Sequence, residues 1–181
     1  MAHSHRLRLT PLPADQWDER ARAALSSLIP AERANPSGAG NVLSTMVRHP
    51  DLTRAYLPFN AYLLRDSTLS ARIREVALLR VVRRADCEYL WSHHMPLAAR
   101  AGLSAEDIDA IRSGDCSEPL DRMIVHAVDD LVTQHTVTAS TWDELGRAFS
   151  DEQRMDLVFT IGGYFLLAIA VNTFGVQEEQ V

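Results

Sequence analysis

The sequence predicts an all-α, single-domain helical bundle. Its 181 residues can bury one sizeable core but are few for two domains. Apolar residues make up 46% of the chain and recur mostly at helical spacing. No segment shows the sustained two-residue alternation of a half-buried strand, so no strand is predicted.

Residues 1–40 are predicted to form an N-terminal arm and a first helix that belong to the same fold as a helical domain over residues 41–181. The arm covers residues 1–16 and is extended. A helix from Asp15 or Gln16 to Leu28 is predicted because its apolar residues recur at helical spacing. Pro30 and the turn-forming segment 35–40 should end this helix.

Capping residues and helix breakers set the helix boundaries in the rest of the chain. Pro50 separates two helices, and Pro58 should kink or restart the second. Ser70 and Asp86 are predicted N-caps, and Gly102 is predicted at a C′ position. The first two of these helices begin near Asn41 and Leu52. The next four are Ala71–Arg83, Cys87–Ala101, a short helix from Ser104 (with Asp107 as its capping-box partner) through Ile111, and Leu120–His135. The last two are Trp142–Phe149, opened by Thr141, and a helix from Ser150 (with Gln153 as its capping-box partner) to about Phe174.

The most apolar segment, Leu157–Val171, is predicted to be a core helix. It is shorter than the ~20 residues that a bilayer-spanning helix needs, so no membrane contact is expected. Gly162 and Gly163 interrupt the segment, and a glycine pair within a helix indicates close helix–helix contact. That contact is expected either within the subunit or between subunits.

Composition excludes several classes of function. The net charge of −6 provides no basic stripe for nucleic acid. All eighteen basic residues are Arg, so chemistry that needs a Lys is excluded: a Schiff base, a lysine-held pyridoxal phosphate or a Walker A loop. Two cysteines, Cys87 and Cys116, are too few for a disulfide framework, and no Cys/His spacing indicates a metal site. Met1–Pro13 has no apolar signal core, so a cytoplasmic location is expected.

The residues best suited to chemistry lie between Glu75 and His94. Glu75 interrupts an apolar helix face, and Cys87, Leu90, Trp91 and His94 share one face of the next helix at i, i+3, i+4 and i+7. If the two helices fold back on each other, the rise of about 13 Å before the turn matches the rise of about 10 Å from Cys87 to His94. Glu75 and His94 would then form a carboxylate–imidazole pair for acid/base catalysis. Tyr89, Leu90 and Trp91 would supply apolar walls for a small substrate, and five arginines could hold its carboxylate: Arg72, Arg74, Arg80, Arg83 and Arg84.

This segment resembles the carboxymuconolactone decarboxylase and alkylhydroperoxidase-D (AhpD) superfamily. The family pattern is E-x11-C-x2-C-x3-H followed by A-x-x-x-G-L-S, and the chain places Glu75, Cys87, Leu90, His94 and Ala98–Ser104 at these positions. The form Cys-Glu-Tyr-x-Trp-x-x-His resembles the decarboxylase-like branch, as does the segment from Asp156 to Val176. Together these matches cover roughly residues 40–176.

The resemblance implies an AhpD-like helical bundle that assembles as a homo-oligomer, a trimer or hexamer. It also implies a cofactor-free and metal-free enzyme that decarboxylates or isomerises a small lactone or unsaturated carboxylic acid, with Glu75, Cys87 and His94 in its site. Peroxidase members use a second cysteine where this chain has Leu90, so the dithiol reaction is not expected. Two alternatives stay open: a single-cysteine, thiol-dependent peroxidase that uses Cys87, and a non-catalytic oligomeric ligand-binding protein.

Overall fold

The computed structural model describes residues 6–179, which contain nine α-helices and no strand, so the all-α prediction is confirmed for this part of the chain. Two short 3-10 helices, Ala14–Gln16 and Ala31–Arg33, precede the longer elements. The α-helices are α1 (Glu19–Ala23), α2 (Pro36–Met46), α3 (Pro50–Arg65), α4 (Ala71–Arg84), α5 (Glu88–Arg100), α6 (Ala105–Ser113), α7 (Pro119–Gln134), α8 (Ala139–Ala148) and α9 (Asp151–Phe174).

Backbone contacts divide the chain into two compact units. One unit is Ser67–Ile169 and the other consists of the described parts of His3–Asp66 and Ala170–Val181. The chain on both sides of the predicted boundary at residues 40 and 41 lies in the second unit. The extended arm is observed over residues 6–13, but the last three residues of the predicted arm form the 3-10 helix Ala14–Gln16 instead. Its first five residues lie outside the described part of the chain.

In the unit that contains residues 6–66, the first helix is shorter than predicted. Trp17 has extended backbone angles, and the Asp18 side chain accepts a hydrogen bond from the N–H of Ala21, so α1 begins only at Glu19. After Ala23 the chain continues in tight turns whose amides bond mostly three residues back. The apolar residues still enter one core, which contains Trp17, Ala21, Leu25, Val47 and Leu57. Periodicity therefore predicted which residues are buried but not the length of the helix.

The segment predicted to be a break before Asn41 is partly helical. The Asn35 side chain caps α2 by accepting a hydrogen bond from Gly38 N–H at 2.9 Å, and Pro36 occupies the first helical position, where proline is well tolerated. Gly40 then takes a φ of 71°, which interrupts the helix immediately before Asn41. Pro58 lies inside α3, which is one element from Pro50 to Arg65, so Pro58 does not restart the helix.

The centre of the unit Ser67–Ile169 is α4, which packs against α5, α6 and α7. Every side chain from residue 75 to residue 82 on α4 is buried. Ser70 caps this helix as predicted, because its side chain accepts a hydrogen bond from Ile73 N–H. A helix buried on all sides has few degrees of freedom, so α4 is a rigid support for any polar group that it carries.

The connection between α4 and α5 corrects the predicted cap. Asp86 is not an N-cap: it has a left-handed φ of 49° and lies just after the C-terminus of α4. The N–H of Asp86 bonds to Arg83 O at 3.2 Å and the N–H of Cys87 bonds to Val82 O at 2.9 Å, which is the Schellman arrangement. Cys87, rather than Asp86, is the N-cap of α5, so Cys87 precedes the first turn instead of belonging to it.

The remaining boundaries agree closely with the sequence. Gly102 has a φ of 89° after α5, and Ser104 and Asp107 form the predicted capping box of α6. Ser150 and Gln153 form the reciprocal pair of bonds expected before α9. The N-cap of α8 is Thr138 rather than Thr141, so this helix begins at Ala139, three residues before the predicted Trp142.

The last helix, α9, has 24 residues and is long and apolar enough, by length and composition, to cross a membrane. Core helices of soluble proteins meet the same criterion, and 44% of the most apolar part of α9 is buried. Four large apolar side chains on this helix are between 48% and 60% exposed: Met155, Phe159, Leu166 and Ile169. Their spacing of four, seven and three residues places them on one exposed stripe.

Candidate active site

Glu75 and His94 form a buried hydrogen-bonded pair. Nδ1 of His94 lies 3.0 Å from Oε2 of Glu75, and the two residues are 7% and 3% exposed. A buried carboxylate without a partner would be costly, and the imidazole supplies that partner. The predicted approach of these two side chains is therefore observed.

The Schellman turn between α4 and α5 brings the pair together. It reverses the chain within three residues, so α5 runs back along α4. Glu75 precedes the end of α4 by nine residues and His94 follows the start of α5 by six residues, so their distances from the turn are comparable along the two helix axes. Two rigid helices with a fixed turn hold the carboxylate and the imidazole in register.

The contact with Glu75 gives the two ring nitrogens different roles. An ionised Glu75 carboxylate can only accept a hydrogen bond, and Nδ1 of His94 is then the donor. Nε2 is then the nitrogen that can take or give a proton to another molecule. The negative charge of Glu75 also stabilises the imidazolium when His94 is protonated. This arrangement suits a general acid or base whose tautomer is set by a buried partner.

Tyr164 of α9 completes the surroundings of His94. Its ring meets the imidazole edge-on, with centroids 5.4 Å apart and planes at 87°. Tyr164 is fully buried, so the ring limits the orientations that the imidazole can adopt. Tyr164 is not among the predicted site residues, because it lies seventy residues from His94 and no local pattern connects the two residues.

Cys87 is buried at the start of α5. The residue is 1% exposed, and its side chain forms no capping hydrogen bond. Its N–H and C=O are both used in the turn and in the first bond of α5, the latter with Trp91 N–H at 3.0 Å. Cys87 forms no disulfide with Cys116. Burial and the nearby charge of Asp121 raise the pKa of the Cys116 thiol, so Cys116 is a poor substitute for the missing second cysteine.

The predicted substrate walls are packed side chains. Tyr89, Leu90 and Trp91 are all buried. Tyr89 stacks on His93 with ring centroids 4.0 Å apart, and the Arg112 guanidinium lies over the Trp91 ring. These contacts supply an apolar environment on α5, while the contact of the three residues with a substrate stays a prediction.

Four of the five arginines proposed to hold a carboxylate already pair with one in the protein. Arg72 bonds Asp121 through both terminal nitrogens, one of them at 2.8 Å. Arg80 and Arg84 pair with Asp129, and Arg83 pairs with Asp86. Arg74 has no carboxylate partner within residues 6–179, and its buried Nε has no hydrogen-bond partner there. Arg74 is therefore the member of this set without a carboxylate partner among the described residues.

Comparisons with known proteins agree with the family resemblance and with the fold. Residues 50–117, which contain Glu75, Cys87 and His94, match the carboxymuconolactone decarboxylase family. The chain is also similar to a crystal structure of a protein of unknown function from Agrobacterium tumefaciens, described as a candidate antioxidant defence protein AhpD. That likeness has a TM-score of 0.67 and 18% identity, and covers 74% of this chain and 94% of the other, which confirms the AhpD-like fold. No curated protein sequence matches the chain.

Proposed function

We propose that this chain is a cofactor-free acid/base enzyme. The proposal rests on the match of residues 50–117 to the carboxymuconolactone decarboxylase family. The substrate class is a small lactone or unsaturated carboxylic acid, and the reaction is decarboxylation or isomerisation. One observation carries the proposal: the buried hydrogen bond between Glu75 and His94 at 3.0 Å, which leaves Nε2 as the proton-transferring atom.

In the decarboxylation, the bond between the ring carbon and the carboxylate of an unsaturated lactone acid breaks and releases CO2. The electron pair of that bond spreads into the conjugated lactone carbonyl. Protonated His94 then transfers the Nε2 proton to carbon, and solvent restores the proton to the imidazole. Glu75 offsets the positive charge of the imidazolium before the transfer, and a correctly placed acid of this kind contributes roughly 10²–10⁴-fold to the rate.

Isomerisation would use the same two residues. Neutral His94 would remove a proton from carbon at Nε2 and return it to a different carbon, so no atom is gained or lost. Arg74 is proposed to hold the substrate carboxylate, because it alone of the five arginines has no carboxylate partner within the described residues. A guanidinium can bind a carboxylate through two parallel hydrogen bonds, which fixes its orientation.

The alternative activities have less support. A single-cysteine peroxidase needs peroxide and then a second thiol to reach Cys87, whose burial disfavours both contacts. A non-catalytic binding role would not use the proton that a carboxylate-oriented imidazole can transfer. We therefore retain acid/base chemistry as the proposal.

Turnover assays with matched variants test the proposal. With lactone acids as substrates, we expect His94→Ala to lower kcat about 100-fold or more, because it removes the proton carrier. Glu75→Gln removes the charge that supports this carrier, so kcat should fall by a smaller factor. His93→Ala is the control, because His93 is the exposed neighbouring histidine. Arg74→Gln should raise KM more than it lowers kcat.

The outcomes separate the hypotheses. Full activity in His94→Ala, with thermal unfolding showing an intact fold, would refute the acid/base role. Peroxide consumption that is lost in Cys87→Ser but kept in His94→Ala would identify the peroxidase instead. Ligand binding without turnover in wild type and in both variants would support the binding protein.

A further inference from the structure

A cleft lined by arginines lies where α4 and α6 end. Its lining residues are Arg80, Arg83, Arg84, Asp86, Arg112 and Ser113, and its volume is about 310 Å³. We call it the arginine cleft. It is large enough for a small ligand or for one end of a larger one, since ligand pockets in proteins begin at roughly 300 Å³.

The arginine cleft has more positive than negative charge. Asp129 pairs with two of its four guanidinium groups, with Arg80 at 2.6 Å and with Arg84 at 3.3 Å. Asp86 pairs with Arg83 at 2.9 Å. Among the described residues, two carboxylates thus face four guanidinium groups. Helix dipoles favour cations in the last turns of α4 and α6, but they do not neutralise this surplus of two charges.

Arg112 provides the unused hydrogen-bond donors. Its guanidinium makes no hydrogen bond or ion pair with any other residue in the range 6–179, and its Cζ lies 4.5 Å from the centre of the Trp91 ring. A guanidinium that lies over an indole ring keeps its N–H groups free to bind an oxyanion in pairs. The stacking also lowers the entropy that Arg112 loses on binding a ligand.

Arg80 fixes the floor of the cleft. It donates to both oxygens of Asp129, at 2.9 and 2.6 Å, and through Nη1 to the carbonyl oxygens of Ile111 and Arg112, at 2.9 and 3.1 Å. The bonds from Nη1 join the end of α6 to α4, and the bonds to Asp129 join α4 to α7. Gly114 lies so close that a β-carbon there would meet Arg80 Nη2 at 2.7 Å, so glycine permits this contact. Arg80 is therefore held in place before any ligand arrives.

From this arrangement we infer that the arginine cleft is an anion-binding site for the carboxylate or phosphate group of a small molecule, with Arg112 and Arg84 as the principal ligands. Both groups present several oxygen acceptors to the fork of a guanidinium, which is the chemistry that the two sources share. Phosphate carries more charge and suits the surplus of two positive charges better. The site is independent of the acid/base role of Glu75 and His94.

Calorimetric titration of the full chain at constant ionic strength tests the inference, with inorganic phosphate in one arm and succinate in the other. We expect saturable binding, and the anion that binds more tightly identifies the preferred group. Arg112→Gln and Arg84→Gln should each weaken the binding of that anion about tenfold, the loss expected when a charge-assisted hydrogen bond is removed. Arg100→Gln is the control, because it removes the same charge from an exposed side chain outside the cleft.

The Trp91 indole locates the bound anion. In an NMR titration its signal should shift together with the calorimetric saturation, whereas that of Trp142, which lies under Arg154 at 4.3 Å, should stay constant. Absence of saturable binding in both arms would overturn the inference. So would equal affinities in wild type, Arg112→Gln and Arg84→Gln.

Discussion

Tyr164 meets the imidazole of His94 edge-on, with ring centroids 5.4 Å apart, and so links the last long helix to the proposed proton carrier. Glu75 fixes Nδ1 from one side by a hydrogen bond, while the Tyr164 ring restricts the imidazole plane. The rate of proton transfer depends on this orientation as much as on the acidity of the group, since small displacements of a catalytic group cost large factors in rate.

Replacing Tyr164 by Leu should therefore reduce activity without removing any proposed proton carrier. We expect kcat to fall about tenfold or more because the imidazole loses its edge-on contact, and stability to fall by roughly 1–3 kcal/mol because a buried ring is lost. Tyr164→Phe keeps the ring and should keep kcat within a factor of about three. Steady-state kinetics and thermal unfolding measure both effects. If the Phe and Leu variants lose the same activity, the ring does not position His94.

The ion pair between Arg72 and Asp121 should make a measurable contribution to the stability of the unit around α4. The hydrogen bond to Asp121 raises the pKa of Arg72 further above its usual value, and Asp121 is almost fully buried. Arg72→Ala leaves that carboxylate without its cation. We expect a loss of about 2–3 kcal/mol in the free energy of unfolding, below the full cost of breaking a buried pair because Arg72 is partly exposed.

Arg83→Ala is the matched control for that experiment. Its ion pair with Asp86 is 2.9 Å long but exposed on both sides, so its removal should change stability by less than about 0.5 kcal/mol. Urea unfolding of both variants at neutral pH gives the comparison. Equal losses of unfolding free energy for Arg72→Ala and Arg83→Ala would show that the burial of Asp121 does not strengthen its ion pair.

The juxtaposition of Glu75 and His94 could be predicted because it depends on local quantities. Helix rise, a short connection and the spacing of apolar residues together determine which side chains of two consecutive helices can meet. The same reasoning could not give the role of Asp86. Aspartate is favoured both as an N-cap and, after asparagine and glycine, at a left-handed C′ position. Which of these two positions Asp86 occupies depends on whether the N–H of Cys87 bonds back to the carbonyl oxygen of Val82.

Contacts distant in the sequence were beyond that reasoning. Tyr164 reaches His94, and Arg112 reaches Trp91, only because α6 and α9 pack in one unit with α4 and α5. No periodicity specifies such a pairing. The arginines show the same limit. The sequence suggested several of them as ligands of a substrate carboxylate, but it could not show that Arg72 pairs with Asp121 and Arg80 with Asp129, because each partner lies 49 residues away.

The stability contributed by Asp130 should depend on pH. Burial alone would raise the pKa of this carboxyl, but hydrogen bonds from the Thr138 N–H at 3.0 Å and from the Thr141 hydroxyl at 2.9 Å outweigh it and lower the pKa. A lowered pKa means that the folded state favours the carboxylate. Its contribution is therefore complete above the usual value of 3.8 and is lost as the pH falls through the lowered value.

Urea unfolding of wild type and Asp130→Asn measures this dependence. Wild type should be the more stable at pH 7, and the difference should shrink as the pH falls below about 4. Asp109→Asn, a change at an exposed carboxyl on α6, should show no comparable change with pH. A difference that is constant from pH 7 to pH 3 would contradict the role assigned to the two threonines.

Homo-oligomerisation stays a prediction, and the exposed stripe of α9 is where it can be tested. Met155, Phe159, Leu166 and Ile169 lie on one side of the helix, and Gly162 is exposed between them. Exposed apolar side chains in a continuous stripe are typical of subunit contacts. Light scattering after size exclusion should give a mass above that of one chain, and Phe159→Asp with Leu166→Asp should reduce it. Leu52→Asp, at an equally exposed leucine, should not.

Gly162→Ala distinguishes a contact between copies from a general loss of solubility. A β-carbon at Gly162 meets nothing within 4 Å in the protomer, so the change should stabilise the isolated helix by up to about 1 kcal/mol. If a second copy packs closely against this stripe, the same methyl group would separate the two helices and weaken assembly. The variant should then dissociate at a higher protein concentration than wild type. Once monomeric, it should unfold at a temperature no lower than that of wild type. A monomeric wild type would refute the prediction of a homo-oligomer.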